Sequence, residues 1–286
     1  MTPAGERLDA LDARARHHRV DHQGRNVHWR QWGEGPPLVL LHGGHGSWAH
    51  WVRNIETLSQ RHTLWLPDMP AYGDSDDLPR GLHPSQRLPA LVETLAGSLS
   101  RLLGALTPIA LAGFSFGGLV AAQLAVQRGH VRRLALLGTA GHGGVRRPMA
   151  ELLNWRSDDP AAMQAALRHN LAALMLHDPA QIDELAMQVH ERSCLKTRFR
   201  SKAISRASPL PALLAGCDAP LLLLWGEHDV TAHPEQVGPQ LTQGHPERAW
   251  RAVPGAGHWL QYEQAAATDR LLLAWFDAST AQALPT

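Results

Sequence analysis

Gly113-Phe114-Ser115-Phe116-Gly117 joins an apolar run of strand length, residues 109–112, to a helical pattern over residues 119–126. A serine with glycines two residues before and two residues after it, between a strand and a helix, is typical of a nucleophile elbow. Because the turn is so sharp, we expect the serine backbone to be strained. Side chains at the two glycine positions would collide with it. The pattern therefore predicts that the Ser115 hydroxyl is held clear of the backbone at the end of a strand.

The length and composition predict a globular chain with one large domain, or one domain that carries a lid. It has 286 residues, of which 44% are hydrophobic and 19% are charged, and its formal net charge is +1. A charge so near zero gives no reason to expect nucleic acid or an anionic membrane as a partner. The two cysteines predict no disulfide framework. Because no long apolar run and no signal-peptide pattern occur, we expect no membrane span and a cytoplasmic location.

Apolar runs of strand length alternate with helical patterns, which predicts an α/β fold with a mostly parallel central sheet flanked by helices. The first five runs are almost continuously hydrophobic, as strands buried on both faces require. They are residues 38–41, 63–66, 109–112, 134–137, 221–225 and 250–253. Before them, Gln23-Gly24-Arg25-Asn26 predicts a hairpin turn between two edge strands. We interpret the charged stretch Arg14–Arg19 as a solvated arm that leads into the first strand, rather than as a basic patch.

The pattern changes between the fourth and fifth of these runs, where the periodicity is helical and no strand-like run occurs. Asp159-Pro160 and Asp178-Pro179 each have the form of a helix N-cap followed by proline at the first helical position. We therefore expect a helical cap inserted after the sixth strand. The predicted boundaries are residues 1–140 and 216–286 for the core, and residues 141–215 for the cap.

Two polar residues follow the last two strand-like runs, at the sheet edge where Ser115 is expected. They are Asp229 and His258. Because ligands bind beyond the carboxyl ends of parallel strands, we expect the three side chains to meet there. His258 is predicted to take the proton of Ser115 as a general base, and Asp229 to orient the imidazole. Glu227 stays an alternative for the acid.

The chain resembles the α/β-hydrolase family from about residue 27 to residue 276. The order serine, aspartate, histidine is that of the family, and His42-Gly43-Gly44 resembles its oxyanion loop. Residues 68–75 resemble its Asp-x-Pro-Gly-x-Gly-x-Ser stretch, with Ala71 in place of a glycine. The resemblance implies the α/β-hydrolase fold. The backbone N–H of Phe116, and by resemblance that of Gly44, are expected to form an oxyanion hole.

Aromatic residues beside these motifs indicate a largely apolar pocket with a few polar points, suited to a small or medium acyl or aromatic substrate. The candidate substrate contacts are His45, Trp48, Phe114 and Trp259. None of the histidine clusters among the 18 histidines has a spacing such as His-Glu-x-x-His, so neither a metal nor a cofactor is expected. A small molecule is the expected partner, and a homo-oligomer stays open.

Three functions stay open from the sequence. The first is hydrolysis of a small to medium carboxylic ester, which a Ser-His-Asp triad needs nothing further to perform. The second is carbon–carbon hydrolysis, because residues 51–55 and 257–263 resemble the meta-cleavage hydrolases, which cleave dienol ketones from aromatic degradation. Those enzymes usually carry asparagines where this chain has Phe114 and His50, and they need a cap arginine. The candidates are Arg192, Arg198, Arg200 and Arg206. The third is a non-catalytic ligand-binding protein that keeps the triad as a pocket feature.

Overall fold

The computed structural model describes residues 2–207 and 209–278, which contain an eight-stranded central sheet. In chain order the strands are β1 (Arg16–His22), β2 (Arg25–Trp32), β3 (Pro37–Leu41), β4 (Thr63–Asp68), β5 (Ile109–Phe114), β6 (Val131–Leu137), β7 (Leu221–Gly226) and β8 (Arg248–Val253). Their order across the sheet is β1-β2-β4-β3-β5-β6-β7-β8. The pairs β1–β2 and β2–β4 are antiparallel, whereas all other neighbouring pairs are parallel. The predicted mostly parallel sheet and the hairpin at Gln23-Gly24 are confirmed.

Helices cover both faces of the sheet. They are α1 (Pro3–Ala13), α2 (Ile55–Leu58), α3 (Pro84–Leu103), α4 (Phe116–Arg128), α5 (Pro160–Asn170), α6 (Glu184–Leu195), α7 (Lys202–Arg206), α8 (Leu210–Ala215), α9 (Pro234–Thr242), α10 (Leu260–Glu263) and α11 (Ala265–Asp277). Single turns of other helix types occur at Trp48–Trp51, Leu171–Met175 and Pro179–Gln181. In the part of the chain that the structure describes, no helix has both the length and the apolar character to cross a membrane.

Alternating residues of the central strands supply two separate hydrophobic cores. In β3, Leu38 and Leu40 pack into the core on one face, while Val39 and Leu41 pack into the core on the other. All four side chains are fully buried. Burial of one such side chain is worth about 1.5–3 kcal/mol relative to exposure. Packing on both faces therefore fixes the position of β3. This in turn fixes where the loop after Leu41 starts.

The N-terminal segment contains a helix that was not predicted from the sequence. Residues Pro3–Ala13 form α1, and the Thr2 hydroxyl caps this helix by accepting a hydrogen bond from the Gly5 N–H at 3.2 Å. Leu8 and Leu11 are buried, and α1 packs against α6. Most of the stretch expected to be a solvated arm already belongs to β1, which begins at Arg16. The helix was missed because two leucines among charged residues make only a weak apolar stripe. That stripe becomes a core face through contact with a distant helix.

Residues 141–215, the predicted cap and called the cap below, contain helices and no strand among the described residues. Asp159 caps α5 as expected: its Oδ1 accepts a hydrogen bond from the Ala161 N–H at 2.9 Å. Asp178-Pro179 instead begins a single helical turn, and the longer helix α6 starts after Asp183, whose Oδ1 accepts from the Ala186 N–H at 2.8 Å. The division of the chain into a core and a separate cap domain stays a prediction.

Candidate active site

Ser115 lies at the sharp turn between β5 and α4, with φ 54° and ψ −118°. This is a strained backbone conformation for a residue with a side chain. A Cβ at Gly113 would lie 2.2 Å from the carbonyl oxygen of Gly117, and a Cβ at Gly117 would lie 2.2 Å from that of His42. The expected strain at the serine is therefore confirmed. Both glycines are needed, but side chains there would hit the carbonyl oxygens of Gly117 and His42 rather than the serine itself.

Ser115, His258 and Asp229 form one chain of hydrogen-bonded side chains. Nε2 of His258 lies 2.9 Å from Oγ of Ser115. Nδ1 of the same ring lies 2.9 Å and 3.0 Å from the two carboxylate oxygens of Asp229. A carboxylate can only accept, so Nδ1 carries the proton and Nε2 is left to accept the hydroxyl proton of Ser115. The three residues selected from the sequence thus lie together at the carboxyl ends of β5, β7 and β8.

Asp229 is fully buried, and Thr231 helps to hold its charge there. Burial alone would raise the pKa of this carboxyl, but His258 and the Thr231 hydrogen bonds outweigh it, so the pKa lies below its ordinary value. The backbone N–H and the hydroxyl of Thr231 donate to Oδ1 at 2.7 Å and 2.8 Å. Sequence reasoning missed Thr231. A hydroxyl residue two positions after a buried aspartate is the signal that could have identified it.

Glu227, the alternative acid, lies away from the imidazole. Its side chain is exposed, and Oε2 accepts a hydrogen bond from the Gly255 N–H at 3.0 Å. The same carboxylate lies 3.6 Å from Nε2 of His228. These contacts join the two loops that carry Asp229 and His258, but they do not reach His258 itself.

Glu263 connects the His258 loop to the cap, a contact that sequence reasoning missed. Its buried carboxylate accepts hydrogen bonds from the N–H groups of Gly257 at 2.6 Å, His177 at 3.1 Å and Asp178 at 2.6 Å. The N–H of Trp259 donates to the carbonyl oxygen of Met175 at 2.7 Å. The residues on both sides of His258 are therefore bonded to the end of one cap segment.

Gly44 and Phe116, the expected oxyanion-hole residues, both line the cavity beside Ser115. Phe116 is the first residue of α4, so its N–H has no acceptor within the helix and lies at the positive end of the helix dipole. His42 holds the Gly44 loop: its Nε2 accepts from the Met69 N–H at 3.0 Å, and its Nδ1 donates to the Gly43 carbonyl at 2.8 Å. Burial lowers the pKa of His42 to about 4, which keeps the ring neutral.

The cavity beside Ser115 and His258 has a volume of about 470 Å³ and has an apolar and a charged part. Such a volume suits a small-molecule ligand. Its apolar lining consists of Phe114, Phe116, Met149, Leu152, Leu174 and Met175. Its charged lining consists of Arg146, Glu151, Lys202 and Arg206. Most of these residues come from the cap.

Two of the four expected substrate contacts line this cavity, namely His45 and Phe114. Trp48 does not, because its ring packs against Trp32 and under the guanidinium of Arg30. Trp259 does not line it either: the indole is fully buried, and its Nε1 donates to the His50 carbonyl at 2.9 Å. The prediction that Trp48 and Trp259 contact the substrate directly is therefore corrected. Both rings instead pack against residues around the site.

Of the four cap arginines considered from the sequence, Arg206 lines the cavity. Arg192 pairs with Asp9 of α1, and Nε of Arg198 lies 2.5 Å from Oδ1 of Asp77. Arg200 is exposed and is not part of the cavity lining. The other two cationic residues of the lining, Arg146 and Lys202, were missed because nothing in the local sequence says which side of a cap helix or loop faces the core.

A model of the alpha/beta hydrolase fold family matches residues 36–265. The chain belongs to the alpha/beta hydrolase family. The match covers the whole sheet from β3 onward and includes the cap, so the resemblance stated from the sequence is confirmed. This alpha/beta hydrolase has relatives that are named hydrolases, esterases among them.

The alpha/beta hydrolase is 30% identical to a 2-hydroxy-6-oxononadienedioate/2-hydroxy-6-oxononatrienedioate hydrolase of Pseudomonas putida, over 91% of this chain and 94% of the relative. Among solved structures, an esterase from Rhodococcus sp. ECU1013 matches with a TM-score of 0.75 and 24% identity, over 93% of this chain and 100% of the other. A meta-cleavage product hydrolase from Pseudomonas fluorescens matches with a TM-score of 0.68 and 21% identity, over 92% and 98%. At these identities the two structures show the shared fold alone.

Proposed function

We propose that this alpha/beta hydrolase cleaves a small to medium carboxylic ester through Ser115, His258 and Asp229. The observation that carries the proposal is the 2.9 Å separation between Nε2 of His258 and Oγ of Ser115 at the wall of the cavity. His258 takes the hydroxyl proton as Oγ attacks the ester carbonyl, and then gives it to the departing alcohol. Water attacks the acyl-enzyme in the same way. Asp229 stays ionised and stabilises the imidazolium.

The oxyanion of each tetrahedral intermediate would be held by the N–H groups of Gly44 and Phe116. Both residues line the cavity next to Ser115. A single donor of this kind is worth on the order of 3–4 kcal/mol of transition-state stabilisation in other serine hydrolases. The position of both residues beside Ser115 supports this part of the proposal.

The charged lining of the cavity favours a substrate that carries a carboxylate in addition to its ester. Arg146, Lys202 and Arg206 outnumber Glu151 at this wall. Arg146 is half-buried, and burial and the nearby Arg206 lower its pKa. The guanidinium nevertheless stays charged, because the ordinary pKa of arginine is very high. Cations around an apolar pocket attract an anionic substrate group and fix its orientation.

A carbon–carbon hydrolase acting on a meta-cleavage dienol ketone is the second candidate. It is favoured by the Pseudomonas putida relative and by the position of Arg206 in the cavity. Two residues favour ester hydrolysis over carbon–carbon hydrolysis. Phe114 is apolar, and Nδ1 of His50 already accepts a hydrogen bond from the Gly43 N–H at 3.1 Å. Meta-cleavage hydrolases usually have an asparagine at each of these two positions. Here one is replaced by an apolar ring, and the other by a histidine whose Nδ1 already accepts a hydrogen bond.

The test compares kcat/KM for three substrates: p-nitrophenyl butyrate, a p-nitrophenyl ester of glutaric acid with one free carboxylate, and an acidic dienol ketone. Ser115→Ala is the blank. A preference for the esters by about tenfold or more supports the proposal, since tenfold is about 1.4 kcal/mol of transition-state binding. Preference for the ketone establishes the second candidate. Absence of turnover with all three, together with no labelling of Ser115 by a fluorophosphonate, would instead indicate a non-catalytic binding protein.

A further inference from the structure

Ser201 is a cap residue whose hydroxyl lies against the expected oxyanion hole. It is 5% exposed and lines the cavity. A Cβ at Gly44 would lie 2.5 Å from Oγ of Ser201 and 3.8 Å from Cβ of Phe116. The Ser201 hydroxyl is therefore packed beside Gly44, and Phe116 borders the same side of Gly44.

Aromatic stacking fixes the segment that carries Ser201. The ring of Phe199 stacks on Phe116 with 5.3 Å between centroids and on Tyr72 with 5.9 Å. Phe199 is 1% exposed. The N–H of Ser205 donates to the carbonyl oxygen of Ser201 at 2.8 Å, so the residue also starts the helical turn of α7. The Ser201 side chain is thus held at Gly44 from both directions along the chain.

We propose that Ser201 is a third hydrogen-bond donor to the oxyanion. This inference rests on the proposed ester hydrolysis. As Oγ of Ser115 bonds to the carbonyl carbon, the C=O electron pair moves onto oxygen, which then accepts from the N–H groups of Gly44 and Phe116 and from the Ser201 hydroxyl. No proton crosses to the oxyanion. When the C=O bond forms again, the alcohol leaves with the proton from His258.

The experiment compares Ser201→Ala with Ser157→Ala, which changes an exposed serine of the predicted cap that does not line the cavity. Ser201→Ala is expected to lower kcat about 10- to 100-fold with little change in KM, because the bond forms only in the transition state. Ser201→Thr, which keeps the hydroxyl, should restore most of the rate. Ser157→Ala should stay within about twofold of the parent enzyme.

A trifluoromethyl ketone, which forms a tetrahedral oxyanion with the serine, provides a readout without turnover. Its inhibition constant should rise in Ser201→Ala by the factor by which kcat/KM falls. Equal kinetics and equal ketone affinity in Ser201→Ala and Ser157→Ala would overturn the inference, as would a rise in KM alone. If the parent enzyme hydrolyses esters and Ser115→Ala does not, the proposed function stands even though Ser201 fails. If no ester is cleaved, ketone binding still tests Ser201.

Discussion

Both hydrogen bonds that Thr231 donates to Asp229 end on the same carboxylate oxygen, at 2.7 Å from the N–H and 2.8 Å from the hydroxyl. The other oxygen, Oδ2, lies 2.9 Å from Nδ1 of His258. Because Oδ1 is held by a neighbour in the chain, the carboxylate has a fixed orientation toward the imidazole. The tautomer of His258 is thereby set before any substrate arrives.

Replacement of Asp229 by asparagine tests this orientation. The amide NH₂ of Asp229→Asn would face Nδ1 and force the proton onto Nε2, which could then no longer accept from Ser115. We expect kcat to fall by about 10⁴-fold with the fold intact. Steady-state kinetics and a thermal melt measure the two effects. Glu227→Gln, two residues earlier in the chain, is the matched control and should keep the parent rate; a large loss there would move the acid to Glu227.

Removal of the guanidinium of Arg206 tests the preference for an anionic substrate. Arg206→Ala should raise KM for the p-nitrophenyl ester with a free carboxylate by about fivefold, since a partly exposed ion pair contributes up to about 1 kcal/mol. KM for the neutral butyrate should not change, and added salt should reduce the difference between the two substrates. Arg200→Ala removes an exposed cap arginine outside the cavity and serves as the control. Equal effects on both esters would contradict a carboxylate contact.

Buried histidines make the folded state sensitive to acid. Burial lowers the pKa of His42 and of His190 to about 4, and burial with neighbouring histidines holds that of His50 well below its ordinary value. In the unfolded chain these rings take up protons near pH 6.5. Between about pH 6.5 and 4 the unfolded state therefore binds more protons, and the free energy of unfolding falls as the pH is lowered.

The contribution of one ring can be isolated with His190→Gln. This variant should reduce the dependence of the unfolding free energy on pH by about 1 kcal/mol per pH unit between pH 5 and 6. Urea unfolding at a series of pH values gives the slope. His130→Asn changes an exposed histidine with positive φ, a conformation that asparagine tolerates, and should leave the slope unchanged. If the unfolding free energy of His190→Gln depended on pH as steeply as that of the parent protein, His190 would not contribute to the acid sensitivity.

Loss of the Glu263 carboxylate should disturb the His258 loop and the cap together. In Glu263→Gln one oxygen becomes an NH₂ group, which cannot accept from the backbone N–H groups that now face it. We expect the free energy of unfolding to fall by about 1.5–3 kcal/mol, and kcat to fall as His258 loses its fixed position. Because Glu263 acts through His258, the loss should appear in kcat more than in KM. Parental stability and kinetics in Glu263→Gln would show that the three N–H contacts are dispensable.

The sheet and the three central side chains could be predicted because each depends on local pattern. Continuous apolar runs of strand length mark the buried strands, and polar residues directly after those runs must lie at one edge of a parallel sheet. The conformation of Ser115 follows from the glycines on either side of it. None of these inferences requires knowledge of how distant segments pack.

The residues that could not be predicted act through contacts between distant parts of the chain. Ser201 meets Gly44 and Glu263 meets His177 only because the cap is docked on the core. The periodicity of a helix shows that it has an apolar face but not which residues that face will meet. Trp48 and Trp259 show the reverse error: both are near the motifs in sequence, yet their rings point into the protein interior.

The attachment of the cap to the His258 loop uses main-chain groups on the cap side: the carbonyl of Met175 and the N–H groups of His177 and Asp178. The side chain of Met175 lines the cavity, while its carbonyl oxygen holds the Trp259 N–H. A mutant library at Met175 and Leu174 could therefore alter the shape of the cavity while every bond to the loop is kept. Substrate specificity can therefore change, by selection or by design, while the backbone hydrogen bonds that hold the His258 loop are kept.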